Sequence, residues 1–201
     1  KYGGDPQDAL NSFGLYAAFA PDARSLFVSY GELFEFDTRA GQRLRRIHAS
    51  RTVVSSAASP DGRWLATAER VADRTSTIVL HDRTTLKVVR EWLVSDPRVA
   101  VATDISNAAQ DNGSPDAKRD RLPTSRFAVT GGNGITFSPD SKRLAWSRAG
   151  TRNGIDIADV TNDRIAVSIP VESLCMCLEF SPDGTRIASG HEDSTASVWD
   201  L

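Results

Sequence analysis

Apolar residues in this chain fall into short runs separated by turn-forming groups, and the last twenty-four residues show the pattern most plainly. In "LEFSPDGTRIASGHEDSTASVWDL", Leu178 to Leu201, an apolar run stops at Ser181-Pro182-Asp183-Gly184 and resumes at Arg186-Ile187-Ala188-Ser189. It breaks again over His191-Glu192-Asp193-Ser194 and closes on Val198-Trp199-Asp200. Pro presets the first turn dihedral, Asp bonds its own backbone and Gly accepts a positive φ, so Ser-Pro-Asp-Gly is a turn joining two strands. Ile187 and Ser189 alternate with Ala188 and Gly190, as in a strand with two distinct faces. Val198 and Trp199 present bulk to both faces, which predicts a third strand covered on both sides. The stretch reads as a three-stranded meander.

The same turn recurs as Ala20-Pro21-Asp22-Ala23, Ser59-Pro60-Asp61-Gly62 and Ser138-Pro139-Asp140-Ser141. Pro21, Pro60, Pro139 and Pro182 are spaced 39, 79 and 43 residues apart, the middle interval being close to twice the others. A unit of about 40 residues is the length of one propeller blade. After each turn come "SLFVSY", "WLATAE", "RLAWSR" and "RIASGH", then "FEFD", "VLHD", "DIAD" and "SVWD", with Asp37, Asp82, Asp159 and Asp200 closing the third strands.

On these residues the chain resembles the WD-repeat β-propeller family, whose units run strand, Ser-Pro-Asp-Gly, strand, turn, strand, Trp-Asp. Trp199-Asp200 is the complete dipeptide, Phe36-Asp37 a conservative variant, and His81-Asp82 and Ala158-Asp159 are departures. The resemblance covers roughly residues 14–94 and 134–201. It implies an all-β propeller of antiparallel blades, about 14–48, 52–94, 134–170 and 173–201, in one domain spanning 1–201. Residues 95–133 are then either an insertion or a divergent fifth blade.

Composition is that of a globular chain: 40% hydrophobic and 25% charged, over 201 residues. No apolar run reaches the ~18 residues of a membrane span. The net charge of −2 gives no long-range attraction for polyanions, and no nucleic-acid partner is expected. In "QRLRRI", Arg43 and Arg45 are expected to share one face of an outer strand, as a solvated edge that discourages stray strand pairing.

Candidate chemistry is sparse. Cys175 and Cys177 are the two cysteines, and their spacing predicts both thiols on one strand face, as buried reduced residues. Reduced thiols favour a cytoplasmic location. His48, His81 and His191 fall in three different units without ligand spacing, so neither a metal site nor a nucleophile with its base is predicted, and no cofactor is implied. Asp22, Asp61, Asp140 and Asp183 are engaged in the repeated turns.

The wide interval holds a polar tract, Asp104 to Ser125, flanked by the strand-like runs Arg98–Thr103 and Arg126–Thr130. Structureless segments of such length ordinarily bind something or are disordered. Asp104, Asp111, Lys118, Arg119 and Arg121 are therefore the candidate partner-binding residues. The resemblance implies a non-catalytic scaffold that holds other proteins through its loops and channel mouth; the alternative is a propeller-type enzyme or accessory domain with a site at that mouth. Four blades are few for the family, so a larger ring is expected, completed by residues outside this sequence, by a second copy or by another subunit.

Overall fold

The computed structural model describes residues 16–47, 51–72, 75–95, 134–149, 152–162 and 164–201, and the regular structure there is entirely β. The first sheet runs β1 (Tyr16–Phe19), β2 (Ser25–Tyr30), β3 (Glu32–Asp37) and β4 (Arg43–Ile47). The second runs β5 (Thr52–Ala58), β6 (Trp64–Ala72), β7 (Thr75–Asp82) and β8 (Val88–Ser95). The third runs β9 (Ile135–Phe137), β10 (Arg143–Arg148), β11 (Gly154–Asp159) and β12 (Ile165–Pro170), and the fourth β13 (Cys175–Phe180), β14 (Arg186–His191) and β15 (Ala196–Asp200). Every neighbouring pair is antiparallel, each sheet being a meander in chain order. The first strands pack side by side, β5 against both β1 and β9, and β9 against β13, so the sheets fan about an axis as blades of a β-propeller.

Each junction between blades has its own apolar core. Phe27, Leu33, Val53 and Leu65 fill the first. Ala66, Ile78, Leu80, Trp92, Phe137 and Trp146 belong to the second, and Ala145, Ile155, Ile157, Leu178, Phe180 and Ile187 to the third. A meander is apolar on both faces, and a neighbour on each side is what removes that surface from water, at ~25 cal/mol per Å².

Register makes the blades superimposable residue by residue. Leu26 opposes Phe36, Leu65 opposes His81, Leu144 opposes Ala158 and Ile187 opposes Trp199, each pair at the same place in its sheet. The irregularities repeat as well. The pairing of third and fourth strands slips at Glu35/Phe36, Leu80/His81 and Ile157/Ala158, and that of first and second strands at Val53/Ser55 and Cys175/Cys177. A bulge inserts one residue and switches the face on which the following side chains emerge.

These bulges overturn two expectations. Cys175 and Cys177 do not share a face: the slip at Met176 buries Cys175 and exposes Cys177, and both are free thiols. Burial pushes the Cys175 thiol up to about 11. Likewise Arg43 pairs with Phe36 and Arg45 with the adjacent Glu35, so the two arginines lie on opposite faces of β4. A third correction concerns β15, which is not covered on both sides: Val198 is 66% exposed while Trp199 is half-buried. The large tryptophan sealed from solvent is Trp146, at the second junction, in tilted contact with Trp92 at 5.6 Å between ring centroids.

Candidate interaction surfaces

The repeated turns fold by local rules and then lock onto one another. In the second blade the Ser59 hydroxyl donates to Asp61 Oδ1 at 2.6 Å and accepts from the Trp64 N–H at 2.8 Å, while the Gly62 N–H reaches the Ser59 carbonyl at 2.9 Å. Ser138 with Asp140 and Arg143, and Ser181 with Asp183 and Arg186, repeat these bonds. The fourth turn residue has positive φ in all four blades: Ala23 at 54°, Gly62 at 74°, Ser141 at 61° and Gly184 at 71°. In the first blade Ala20 stands where serine would, and only the backbone bonds and the Asp22 carboxylate, accepting from the Arg24 N–H at 3.0 Å, remain.

Neighbouring turns meet at this fourth residue. Pro21 Cγ lies 3.3 Å from where a Cβ on Gly62 would stand; Pro139 Cδ lies 3.5 Å from the same point on Gly184. Between them the Asp61 N–H donates to Ser141 Oγ at 3.0 Å, and the Arg143 guanidinium donates to the Gly184 carbonyl. Pro21, Pro60, Pro139 and Pro182 thus sit in one continuous stack of turns along a rim of the propeller, with Asp22, Asp61, Asp140 and Asp183 facing their own backbones.

The residues closing the third strands take the parallel part in the next turn. Asp37 accepts from the Arg39 and Ala40 N–H groups, Asp82 from the N–H and hydroxyl of Thr85, and Asp159 from those of Thr161. Asp200 instead accepts from Arg186 at 2.9 Å. Donors aimed at these carboxylates favour their charged form. The Ser181 hydroxyl, with Thr185, holds Asp183 down at about 2; the Thr85 N–H lowers Asp82, the Ser138 hydroxyl lowers Asp140 and the Thr161 hydroxyl lowers Asp159.

Two blades contain an interior hydrogen-bond chain at matching positions. In the fourth, Trp199 Nε1–H donates to Ser189 Oγ at 3.1 Å, and that hydroxyl lies 2.9 Å from His191 Nε2. In the second, Thr67 Oγ1 donates to Glu69 Oε1 at 3.0 Å and lies 3.2 Å from His81 Nε2. A hydroxyl has one proton to give, so with Glu69 receiving it the Thr67 oxygen accepts from the imidazole. His81 therefore plays the part of Trp199, an N–H donor from the third strand into a second-strand hydroxyl. The histidine that departs from the repeat in sequence preserves its bonding in space. Desolvation lowers the His81 pKa and raises that of Glu69. Thr67, Glu69 and His81 are all buried.

An open cleft of about 450 Å³ lies at the first junction, bordered by Asp22, Arg24, Glu35, Asp37, Arg45 and Arg83. Four of its charges are already paired: Arg45 Nε bonds Glu35 at 2.5 Å, and Arg83 lies 3.9 Å from Asp22 while donating to the Gly62 carbonyl at 2.7 Å. Arg46 pairs with Glu32, and Arg43 lies over the Phe34 ring at 5.6 Å. Arg43 and Arg46 thus serve the first blade itself, while Arg45 also donates to the Arg83 carbonyl of the second blade at 3.3 Å. Among the described residues no group of three or more His, Cys, Asp or Glu side chains could hold a metal ion. No helix there is long and apolar enough to cross a membrane. His48 and the candidate partner-binding residues Asp104, Asp111, Lys118, Arg119 and Arg121 lie outside the described residues.

Residues 170–200, the fourth blade with the residues leading into it, match the family model described as WD domain, G-beta repeat. The fourth blade is a WD repeat, and with the repeated four-stranded sheets this supports the WD-repeat family. Trp199-Asp200 and the Ser181-to-Gly184 turn lie within the matched stretch, and the three earlier blades carry the same turn and register with His81, Ala158 or Phe36 at the tryptophan position. No curated protein matches this sequence. WD-repeat proteins are in general non-catalytic scaffolds for protein interaction.

Proposed function

We propose that this protein is a non-catalytic platform, its blades forming one propeller domain that presents protein partners on its rim and loops. The observation that carries this reading is the stack of interlocked turns, Pro21 on Gly62, Asp61 on Ser141 and Arg143 on Gly184. Bonds of this kind hold backbone groups in place before any partner arrives, which lowers the entropic cost of binding. The polar titratable cluster of the interior, Thr67, Glu69 and His81, is spent on cohesion and has no opening to solvent.

Within this platform the tract from Asp104 to Ser125 is the partner-contacting element, with Asp104, Asp111, Lys118, Arg119 and Arg121 supplying charges of both signs. Limited trypsin digestion tests its accessibility. Cleavage is expected first at Lys118, Arg119 or Arg121, leaving the blades intact. Resistance there, with cutting inside the four sheets, would count for a packed fifth blade and against the binding loop. Reversing the charges of Lys118, Arg119 and Arg121 together should release bound partner without changing thermal stability.

A further inference from the structure

The first junction differs from the second and third at positions that the register matches, and the differences open the cleft beside it. At the start of the second strand, opposite the Asp that closes the third, stand Ser25, Trp64 and Arg143. Trp64 packs against the core of the second junction; Arg143 lies over the Phe180 ring and donates to the Gly184 carbonyl at the third. Ser25 is too short to do either. Two residues before the closing Asp, the first blade has the buried carboxylate of Glu35 where Leu80 and Ile157 are fully buried aliphatic side chains. Directly after the Asp of the following blade, Arg83 borders the first junction where the buried Val160 fills the second. The bond from the fourth strand is unchanged: Arg45 donates to the Arg83 carbonyl at 3.3 Å, as Arg90 does to the Val160 carbonyl at 3.0 Å. The two blades are thus tied as elsewhere, and the cleft of about 450 Å³ is space that other junctions fill.

The groups left over in this space are mainly donors. Glu35 accepts from Arg45 Nε, and Arg83 uses its Nε on the Gly62 carbonyl and faces Asp22. Asp37 turns one oxygen onto the Arg39 and Ala40 N–H groups. Arg24 is different. Its counterpart Arg63 lies over the Trp64 ring at 4.3 Å, and with Ser25 in place of that ring the Arg24 side chain has no partner among the described residues. A guanidinium holds five N–H donors in a rigid fork that meets a carboxylate at two points. Leu44, 55% exposed, borders the same cleft and offers it an apolar surface.

We propose that the cleft takes the carboxylate of an Asp or Glu side chain from a partner protein, held by Arg24 and Arg83 with its methylenes against Leu44. This deepens the platform reading and rests on it, adding a contact separate from the Asp104–Ser125 tract. A carboxylate suits the cleft better than a phosphate, because Asp22, Glu35 and Asp37 line it too and repel a dianion more strongly.

The test is a titration of the 201-residue chain with the blocked peptide Gly-Gly-Glu-Gly-Gly, read on the backbone amide signals of Asp22 to Ser25, Arg83 and Thr84. These signals should shift and saturate, and the same peptide with Gln for Glu should leave them in place. In Arg24→Gln, which removes no bond of the fold, half-saturation should need at least about tenfold more peptide. Ser25→Trp, which returns the ring present at Trp64, should abolish the shift while the urea midpoint holds. Reversing Lys118, Arg119 and Arg121 should leave the shift as it is. No saturable shift, an equal response to the Gln peptide, undiminished binding in Arg24→Gln, loss of the shift on reversing the tract, or tighter binding of a phosphoserine peptide would each overturn the proposal. The platform reading is tested separately, since it falls only if partner also stays bound when the charges of the tract are reversed.

Discussion

The first and second blade junctions are formed by the same repeat, yet they hold by different means. At the second, Trp92 and Trp146 meet at 5.6 Å inside a core that also takes in Ile78, Leu80, Phe137 and Leu144. At the first, the apolar core is smaller and is flanked by an open cleft where Arg45, Glu35, Arg83 and Asp22 are paired. Large aromatic side chains remove much area from water, whereas the solvent-facing Arg83–Asp22 pair contributes little because solvent screens it, leaving the buried Glu35 with Arg45 as the stronger of the two pairs. The repeat therefore fixes how blades are placed and leaves the strength of each junction to the side chains that happen to fill it.

Trp146→Ala strikes the stronger junction and is expected to cost about 3–5 kcal/mol in denaturant unfolding. Trp199→Ala, removing the half-buried family tryptophan, should cost clearly less. A larger loss at Trp199 would reverse the ranking of the junctions and place the anchor of the fold in its last blade.

Next in size is Thr67→Val, which leaves Glu69 and His81 buried without their shared oxygen and should cost about 1–3 kcal/mol. The wild-type chain should also lose stability as pH falls below 6.5. His81 has a folded-state pKa lowered by desolvation, so below 6.5 the unfolded chain takes up the proton more readily and unfolding is favoured. The depressed aspartates Asp82, Asp140, Asp159 and Asp183 add to the loss in the same direction as pH drops below about 3.8. Thermal melts of wild type and His81→Gln should converge in slope between pH 7 and 8 and separate below 6.5. Parallel curves would remove His81 from this behaviour.

Smaller effects test the turns that both junctions share. Ser138→Ala deletes a buried hydroxyl that donates to Asp140 and accepts from Arg143, at an expected cost of ~1 kcal/mol. The first blade already lacks this group, and Ala20→Ser should recover part of that amount by bonding Asp22. Both follow from urea midpoints. Last, Arg83→Gln removes the ion pair to Asp22 and should cost only a few tenths of a kcal/mol from that pair, an effect that fades with added salt. A loss matching that of Trp146→Ala would show that the first junction is held by its charges after all.

The sequence alone determined where the turns fall and hence where the strands begin, because the dihedral preferences of Pro and Gly and the reach of an Asp or Ser side chain act over four or five residues. Pro21, Pro60, Pro139 and Pro182 announced the repeat, and Asp37, Asp82 and Asp159 the following turns, without knowledge of any neighbour. The tertiary structure decided which face each side chain takes. Bulges at Met176 and at Leu44 sent Cys177 away from Cys175 and Arg43 away from Arg45, since a strand slips by one residue in response to the strand beside it, and period-two reasoning cannot foresee the slip. It also decided that His81 replaces a tryptophan, that Trp146 outranks Trp199 in burial, and that Val198 remains open where Leu80 is covered. Each of these depends on what stands across a junction from residues tens of positions away, and burial of that kind is a property of the assembled blades.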